Sequence, residues 1–172
     1  MERADKGLAF MMQYENVAWY DSGEVRILDR RVYPRRVEFV TCRTYEEVTQ
    51  ALRDMVTQST GPFTAAAMGM ALAAYQCRHM AAAQQVAYLE RAMDTISHAR
   101  PTTVGRMQLI CGGCLEAARA AIEKGVPDVA LAIRDYTVAT NNRRYNRVGQ
   151  MAKHLVDKFP DNGTVMTQCF GE

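Results

Sequence analysis

Residues 60–75 read TGPFTAAAMGMALAAY and carry the strongest structural signal in the chain. Gly61 and Pro62 interrupt any helix that precedes them, and small residues dominate afterwards. Apolar side chains then recur at helical spacing, at Ala65, Met68, Ala71, Leu72 and Tyr75. Because small side chains permit close approach on several sides, the pattern predicts a closely packed, fully buried helix.

Helical periodicity appears on both sides of this stretch. Before it, Thr44 and Glu47 form a capping box, followed by one apolar face at Val48, Leu52, Met55 and Val56. After it, a helix is predicted from Val86, Leu89, Met93 and Ile96. A third helix begins at Pro101 and ends at Gly125, with an inner face at Val104, Met107, Cys111, Cys114, Ala118 and Ala121.

The last helical pattern extends to about residue 159. Pro127 is predicted to occupy its first turn, where proline is tolerated, and the pair Asn141–Asn142 marks a point of interruption. The segment Pro160–Gly163 then turns the chain into a predicted strand, Thr164–Cys169. A single parallel-type strand has no sheet of its own, so further strands are expected downstream.

Period-two alternation occurs only before residue 42. It predicts three strands, near residues 14–20, 24–28 and 36–41, with a turn at Asp21-Ser22-Gly23. The predicted fold class is therefore α+β, with a small N-terminal antiparallel sheet followed by a mainly helical domain.

Composition excludes several classes of protein. The 172 residues are 48% hydrophobic and suffice for one ordinary core. Lysine and arginine total 21 against 19 acidic residues, so the net charge of +2 does not suggest nucleic-acid binding. The apolar stretches are too short to span a bilayer, and no signal-type core follows the charged N-terminus. Five irregularly spaced cysteines indicate reduced thiols, and we expect a cytoplasmic protein.

Several segments, in the same order, resemble the methylthioribose-1-phosphate isomerase family, which also contains the regulatory subunits of initiation factor 2B. Val17–Pro34 resembles its opening hairpin, and Tyr45–Val56 its first helix. Ala65–Gly69 is similar to the alanine-rich helix after the family's phosphate loop. The remaining similar segments are Ala99–Val104, Asn146–Gly149 and the strand Thr164–Cys169, which in the family delivers the catalytic cysteine. The resemblance implies an N-terminal domain over residues 1–160 and, at 161–172, the start of a largely absent Rossmann-like domain.

The resemblance also implies an activity. It predicts an aldose–ketose isomerase of a ribose 1-phosphate, which in this family is normally methylthioribose 1-phosphate in methionine salvage. In this reaction a cysteine and an aspartate move protons, and no cofactor is needed. The expected partners are the small sugar phosphate and a second copy of the chain, joined through the C-terminal domain, with no nucleic acid or membrane. The alternative is a non-catalytic relative, similar to the regulatory subunits, that acts in ligand sensing or protein contacts.

Two departures bear on this choice. The isomerases have an arginine in the loop before the alanine-rich helix, whereas this chain has Gln58-Ser59-Thr60-Gly61-Pro62. Asparagine-alanine-glycine normally follows the cysteine, whereas Phe170-Gly171-Glu172 follows Cys169, and the family's aspartate falls beyond residue 172. These departures favour the non-catalytic relative, whereas the tryptophan hairpin and Ala99–Thr102 favour the isomerases.

The candidate site residues come from these motifs. Cys169 is the candidate proton shuttle, with a buried inert cysteine as the alternative. Arg100, at a helix start, is the candidate phosphate ligand, or else a surface arginine. The loop residues Gln58, Ser59, Thr60 and Gly61 would cradle the same phosphate, or form an ordinary turn.

Three other features receive a structural interpretation. Cys111 and Cys114 have the spacing of a redox pair or half a zinc site, but both fall on an apolar helix face, which favours packing. Arg143, Arg144 and Arg147 form a basic cluster that a solvated helix face explains. His79, His98 and His154 lack ligand spacing, so no metal is proposed.

Overall fold

The computed structural model describes residues 3–166. Its N-terminal part contains a short helix and a sheet: α1 (Tyr14–Val17), β1 (Ala18–Asp21), β2 (Glu24–Leu28) and β3 (Phe39–Cys42). Five helices follow: α2 (Tyr45–Arg53), α3 (Gly61–Gln76), α4 (Ala82–Ser97), α5 (Val104–Glu123) and α6 (Val129–Val156). Single 3₁₀ turns lie at Phe10–Met12 and Pro101–Thr103. The predicted α+β class is confirmed.

The helix α3 is the centre of the core, as its sequence predicts. All of its residues from Gly61 to Ala74 are buried except Phe63, which is partly buried. It packs against α2, α4, α5, α6 and β1. A Cβ at Gly69 would lie 3.0 Å from Cγ1 of Val48 and 3.2 Å from Cδ1 of Ile96. The small residues of α3 therefore let helices approach it from several sides.

The sheet is antiparallel with the order β1-β2-β3. Ser22 and Gly23, with φ of 48° and 89°, form the two-residue connection of the first hairpin, which confirms the predicted turn. The first strand begins later than predicted, because Tyr14–Val17 form a helical turn. The carboxylate of Asp5 accepts a hydrogen bond of 2.7 Å from the Tyr14 N–H, which stabilises the start of that turn.

Helix α2 begins where the capping box predicts but ends early. The Thr44 hydroxyl accepts from the Glu47 N–H, whereas the Glu47 carboxylate accepts from the N–H of Arg43. The prediction that Met55 lies on the inner face is wrong. Met55 follows the end of the helix with φ of +58° and is exposed, so that the next residue, Val56, can be buried.

The ends of the last two helices confirm one prediction and correct two. Gly125 has φ of +64° and ends α5 as predicted. Pro127 precedes α6 instead of lying in its first turn, because Asp128 is the N-cap and accepts from the Leu131 N–H at 2.9 Å. No interruption occurs at Asn141–Asn142: α6 is continuous, and both side chains are buried against other elements.

The predicted last strand, Thr164–Cys169, is not formed in its described part. Residues 164–166 have no regular secondary structure and are exposed, and residues 167–169 lie outside the described residues. The domain boundary near residue 160 stays a prediction. In residues 3–166, no helix is both long and apolar enough to cross a membrane.

Candidate functional site

The predicted phosphate-binding residues lie at one end of the helical bundle. Short connections join the packed helices α3, α4 and α5, so successive helices run antiparallel and the starts of α3 and α5 meet. The Arg106 guanidinium near the start of α5 lies 5.9 Å from the ring centre of Phe63 in α3. Arg100 and the loop 58–61 therefore lie at the same end, although no hydrogen bond within the described part of the chain joins them.

The loop before α3 has a constrained backbone. The Gly61 N–H donates to the Gln58 carbonyl at 3.0 Å, and Ser59 adopts φ of +59°. A Cβ at Gly61 would collide with the Thr57 hydroxyl, so only glycine fits there without movement. The N-cap residue Thr60 makes no side-chain capping bond to the helix. The partial positive charge at the start of α3 is thus not neutralised by a side-chain cap.

A cavity of about 740 Å³ opens beside this loop. The segment from Ala4 to Met12 forms one wall, Thr60 lies at its edge, and the second half of α6 forms the other wall. Its cationic groups are Arg144 and Lys153. No sequence motif assigns either residue to a site, although Asn146, Gly149, Gln150 and Lys153 fall on one helix face, a spacing that points to Lys153.

The N-terminal wall of this cavity is fixed to α6 by hydrogen bonds. The Asn142 side-chain oxygen accepts from the Ala4 N–H at 2.9 Å and from the Tyr14 hydroxyl at 2.7 Å. The Tyr145 hydroxyl donates to the Met12 carbonyl at 2.9 Å. Because both ends of the segment are anchored, the cavity is bounded by ordered groups.

Comparisons with known proteins identify the family. No family model matches the chain. It is 30% identical over 155 residues to the methylthioribose-1-phosphate isomerase of Roseiflexus sp., covering 88% of this chain and 44% of that protein. It is 29% identical over 157 residues to the isomerase of Caldanaerobacter subterraneus, covering 87% of this chain and 44% of the relative. The chain belongs to the methylthioribose-1-phosphate isomerase family.

Solved structures agree with this membership of the isomerase family. The structure of translation initiation factor eIF-2B, subunit delta, from A. fulgidus matches with a TM-score of 0.60 and 25% identity, over 70% of this chain and 36% of that chain. The Pyrococcus horikoshii 5-methylthioribose 1-phosphate isomerase shares the fold, with a TM-score of 0.54 and 20% identity, over 76% and 35% of the two chains. The chain spans less than half the length of the isomerase-family relatives it matches.

Of the other candidate residues in this isomerase-family chain, Cys169 lies outside the described residues. Cys111 and Cys114 are completely buried on the inner face of α5. Burial raises the pKa of the Cys114 thiol to about 12 and that of Cys111 above its ordinary value as well. Thiols with raised pKa are poor nucleophiles and ligands, so the structure supports the packing interpretation.

No metal centre is built in the described part of the chain. Among residues 3–166, no group of three His, Cys, Asp or Glu side chains is arranged to hold a metal ion. The cluster that includes Arg143 and Arg147 lies on α6, where both residues are exposed.

An ion-pair cluster supports the N-terminal wall of the cavity. Arg3 pairs with Asp5 and Glu15, and its guanidinium lies 5.1 Å from the Tyr14 ring centre. Burial opposes ionisation of Asp5, but hydrogen bonds from Arg3 and from the Tyr14 N–H outweigh it and lower the pKa of Asp5. The hydrogen bond from Arg3 also lowers the pKa of Glu15.

These lowered pKa values predict a loss of stability in acid. The carboxylates of Asp5 and Glu15 contribute stability that is fully present above their ordinary pKa values of 3.8 and 4.5, and that is lost as the pH falls through their folded values. We expect the midpoint of urea denaturation to be constant above about pH 5 and to fall steadily below about pH 4.5.

The variant Asp5→Asn provides the control for this pH dependence. It should lower the free energy of unfolding at neutral pH by about 1–3 kcal/mol, because hydrogen bonds to a buried charge are lost. It should also make the free energy of unfolding fall less steeply in acid, since the Asp5 carboxylate no longer titrates. An acid decline of unchanged steepness in Asp5→Asn would assign the pH dependence to other carboxylates.

Proposed function

We propose that the chain supplies the phosphate-binding part of an aldose–ketose isomerase, with methylthioribose 1-phosphate as substrate. The relatives named methylthioribose-1-phosphate isomerase support this substrate class. The observation that carries the proposal is the position of Arg100. It lies at the same end of the bundle as the start of α3, and the start of α3 lacks a side-chain cap. Arg100 has no ion-pair partner within residues 3–166, so its guanidinium is available to a phosphate.

The phosphate would lie between Arg100, the backbone and hydroxyl groups of residues 58–61, and the neighbouring cavity. Arg144 and Lys153 in the cavity lining would supply positive charge in place of the loop arginine that this chain lacks. Proton transfer between sugar carbons C1 and C2 is assigned to Cys169, in a reaction that needs no cofactor. Residues 161–172 would begin the α/β domain that delivers this cysteine, in a cytoplasmic homodimer.

A non-catalytic role is the second candidate. Gln58-Ser59-Thr60-Gly61-Pro62 lacks the loop arginine, and a solved relative is the delta subunit of initiation factor eIF-2B. In that role the chain would contact a protein partner, or the same cavity would sense a different ligand without converting it. Binding of methylthioribose 1-phosphate followed by formation of the ketose would exclude this candidate.

Arg100→Ala is expected to weaken sugar-phosphate binding by about 1.5–3 kcal/mol, which is about 10- to 150-fold in Kd, because one charged set of hydrogen bonds is lost. Isothermal titration with ribose 1-phosphate measures this change. Arg91→Ala, on the middle of α4, is the matched control, since it removes the same charge and should leave Kd unchanged. An unaltered Kd in Arg100→Ala would remove Arg100 from the phosphate site, and no binding by the wild type would favour the non-catalytic relative.

A further inference from the structure

A second pocket lies on the α5 side of α6. It has a volume of about 380 Å³ and lies between the first turns of α3 and α5 and the middle of α6. It is separate from the 740 Å³ cavity except for Arg144 and Val148, which line both. Because four arginines line it, we call it the arginine pocket: Arg106, Arg143, Arg144 and Arg147.

The charge in the arginine pocket is not balanced by an acidic group of residues 3–166. None of its lining residues is acidic. None of its four guanidinium groups forms an ion pair with a carboxylate of residues 3–166. Arg143 donates to the Thr140 hydroxyl at 2.9 Å, and Arg106 and Arg144 lie over the rings of Phe63 and Tyr145. Four cations that line one pocket without an acidic partner repel one another, and an anion relieves that repulsion.

A buried amide provides independent evidence for a ligand. Asn141 lines the arginine pocket with only 8% of its surface exposed, and its Nδ2 has no hydrogen-bond partner in the described part of the chain. A buried N–H group without an acceptor is destabilising, and a bound ion or an ordered water is one way in which such a group is satisfied. Asn141 therefore lacks an acceptor at the edge of a pocket lined by cations.

The pocket also has the composition of a small-molecule site. Its floor is apolar, with Phe63, Ala67 and Ile110, while the hydroxyls of Tyr136 and Thr140 lie among its lining residues. A volume of 380 Å³ falls within the usual range for small ligands. The planar fork of a guanidinium group donates to two oxygens of a phosphate at once.

We infer that the arginine pocket is a second anion site, distinct from the Arg100 site, which binds the phosphate group of a small phosphorylated molecule through Arg106, Arg143 and Arg147, with the Asn141 amide turning toward the anion as a neutral donor. The arginine pocket shares only Arg144 with the residues assigned to the sugar phosphate, because neither Arg100 nor residues 58–61 line it, so its failure can be distinguished from that of the proposed isomerase function. A plain solvated helix face would not explain the unpartnered amide of Asn141.

Inorganic phosphate is the probe, and backbone amide NMR of the ¹⁵N-labelled chain is the measurement. We expect saturable shifts at the amides of Arg106 and of residues 137–147. The double variant Arg143→Gln/Arg147→Gln should raise Kd at least about tenfold, since each lost guanidinium removes charged hydrogen bonds. Asn141→Ala should raise Kd about fivefold, as expected for one neutral hydrogen bond.

Two control variants separate this site from the proposed substrate site. Arg53→Gln/Arg91→Gln removes the same charge elsewhere and should leave the shifts and Kd unchanged. Arg100→Gln should also leave them unchanged, whatever its effect on sugar-phosphate binding. The inference is overturned if phosphate gives no saturable shifts, if the Arg143/Arg147 double variant binds as tightly as the wild type, or if all shifts lie at residues 58–61 and 100 and disappear in Arg100→Gln.

Discussion

Cys169→Ser is expected to lower the turnover of methylthioribose 1-phosphate by about 10²- to 10⁴-fold, the range that a positioned acid or base contributes. The thiol is a much stronger acid than a serine hydroxyl, so only the cysteine can give up and recover a proton near neutral pH. The substitution keeps the size of the side chain nearly constant, so Kd for the substrate should change little. Conversion of aldose to ketose phosphate, followed by NMR, measures the effect.

The control for Cys169→Ser is a second cysteine that is not assigned to catalysis. Cys77→Ser replaces a completely buried thiol whose pKa is raised by burial. It should lower stability, because a hydroxyl is more costly to bury than a thiol, but leave turnover per folded molecule unchanged. If Cys169→Ser retains wild-type turnover, the proton is carried by another group and Cys169 has no catalytic role.

The fold was predictable wherever local patterns and tertiary packing agree. The small residues of α3 predicted burial on every side, and the structure surrounds that helix with four others. Gly125 and the Ser22-Gly23 turn were predictable because positive φ is a property of a single position. The errors arose where a tertiary contact overrides local preference: Asn141 and Asn142 look like helix breakers, but their side chains are buried and the helix continues.

The candidate site was less predictable because it is built from distant parts of the chain. The hydrogen bond between Ala4 and Asn142 joins residues 138 positions apart, and no periodicity predicts such a pairing. The family resemblance points to the start of α3 and to Arg100, whereas the place of Arg144 in the cavity lining follows only from the packing of α6. The periodicity of a sequence indicates which face of a helix is polar, but it does not indicate which other element packs against that face.

Asn142→Leu is expected to lower the free energy of unfolding by about 2–4 kcal/mol, because one buried and one partly buried donor lose their acceptor at once. The Ala4 N–H and the Tyr14 hydroxyl both donate to the Asn142 oxygen, and Asn142 is 7% exposed. Leucine has the same branched side-chain skeleton and is not smaller than asparagine, so the substitution leaves no cavity. Urea denaturation followed by circular dichroism measures it.

The same substitution tests whether Asn142 holds the cavity wall. Asn146→Leu, one turn further along α6 at an exposed position, should change stability by no more than about 0.5 kcal/mol. In Asn142→Leu, amide exchange should rise in residues 4–14 well before the helices open, because the Tyr145 bond to the Met12 carbonyl alone cannot hold that segment. If amide exchange rises equally throughout the chain, Asn142 stabilises the whole bundle and does not specifically anchor the cavity wall. The ordered boundary of the 740 Å³ cavity must then come from the Arg3 ion pairs.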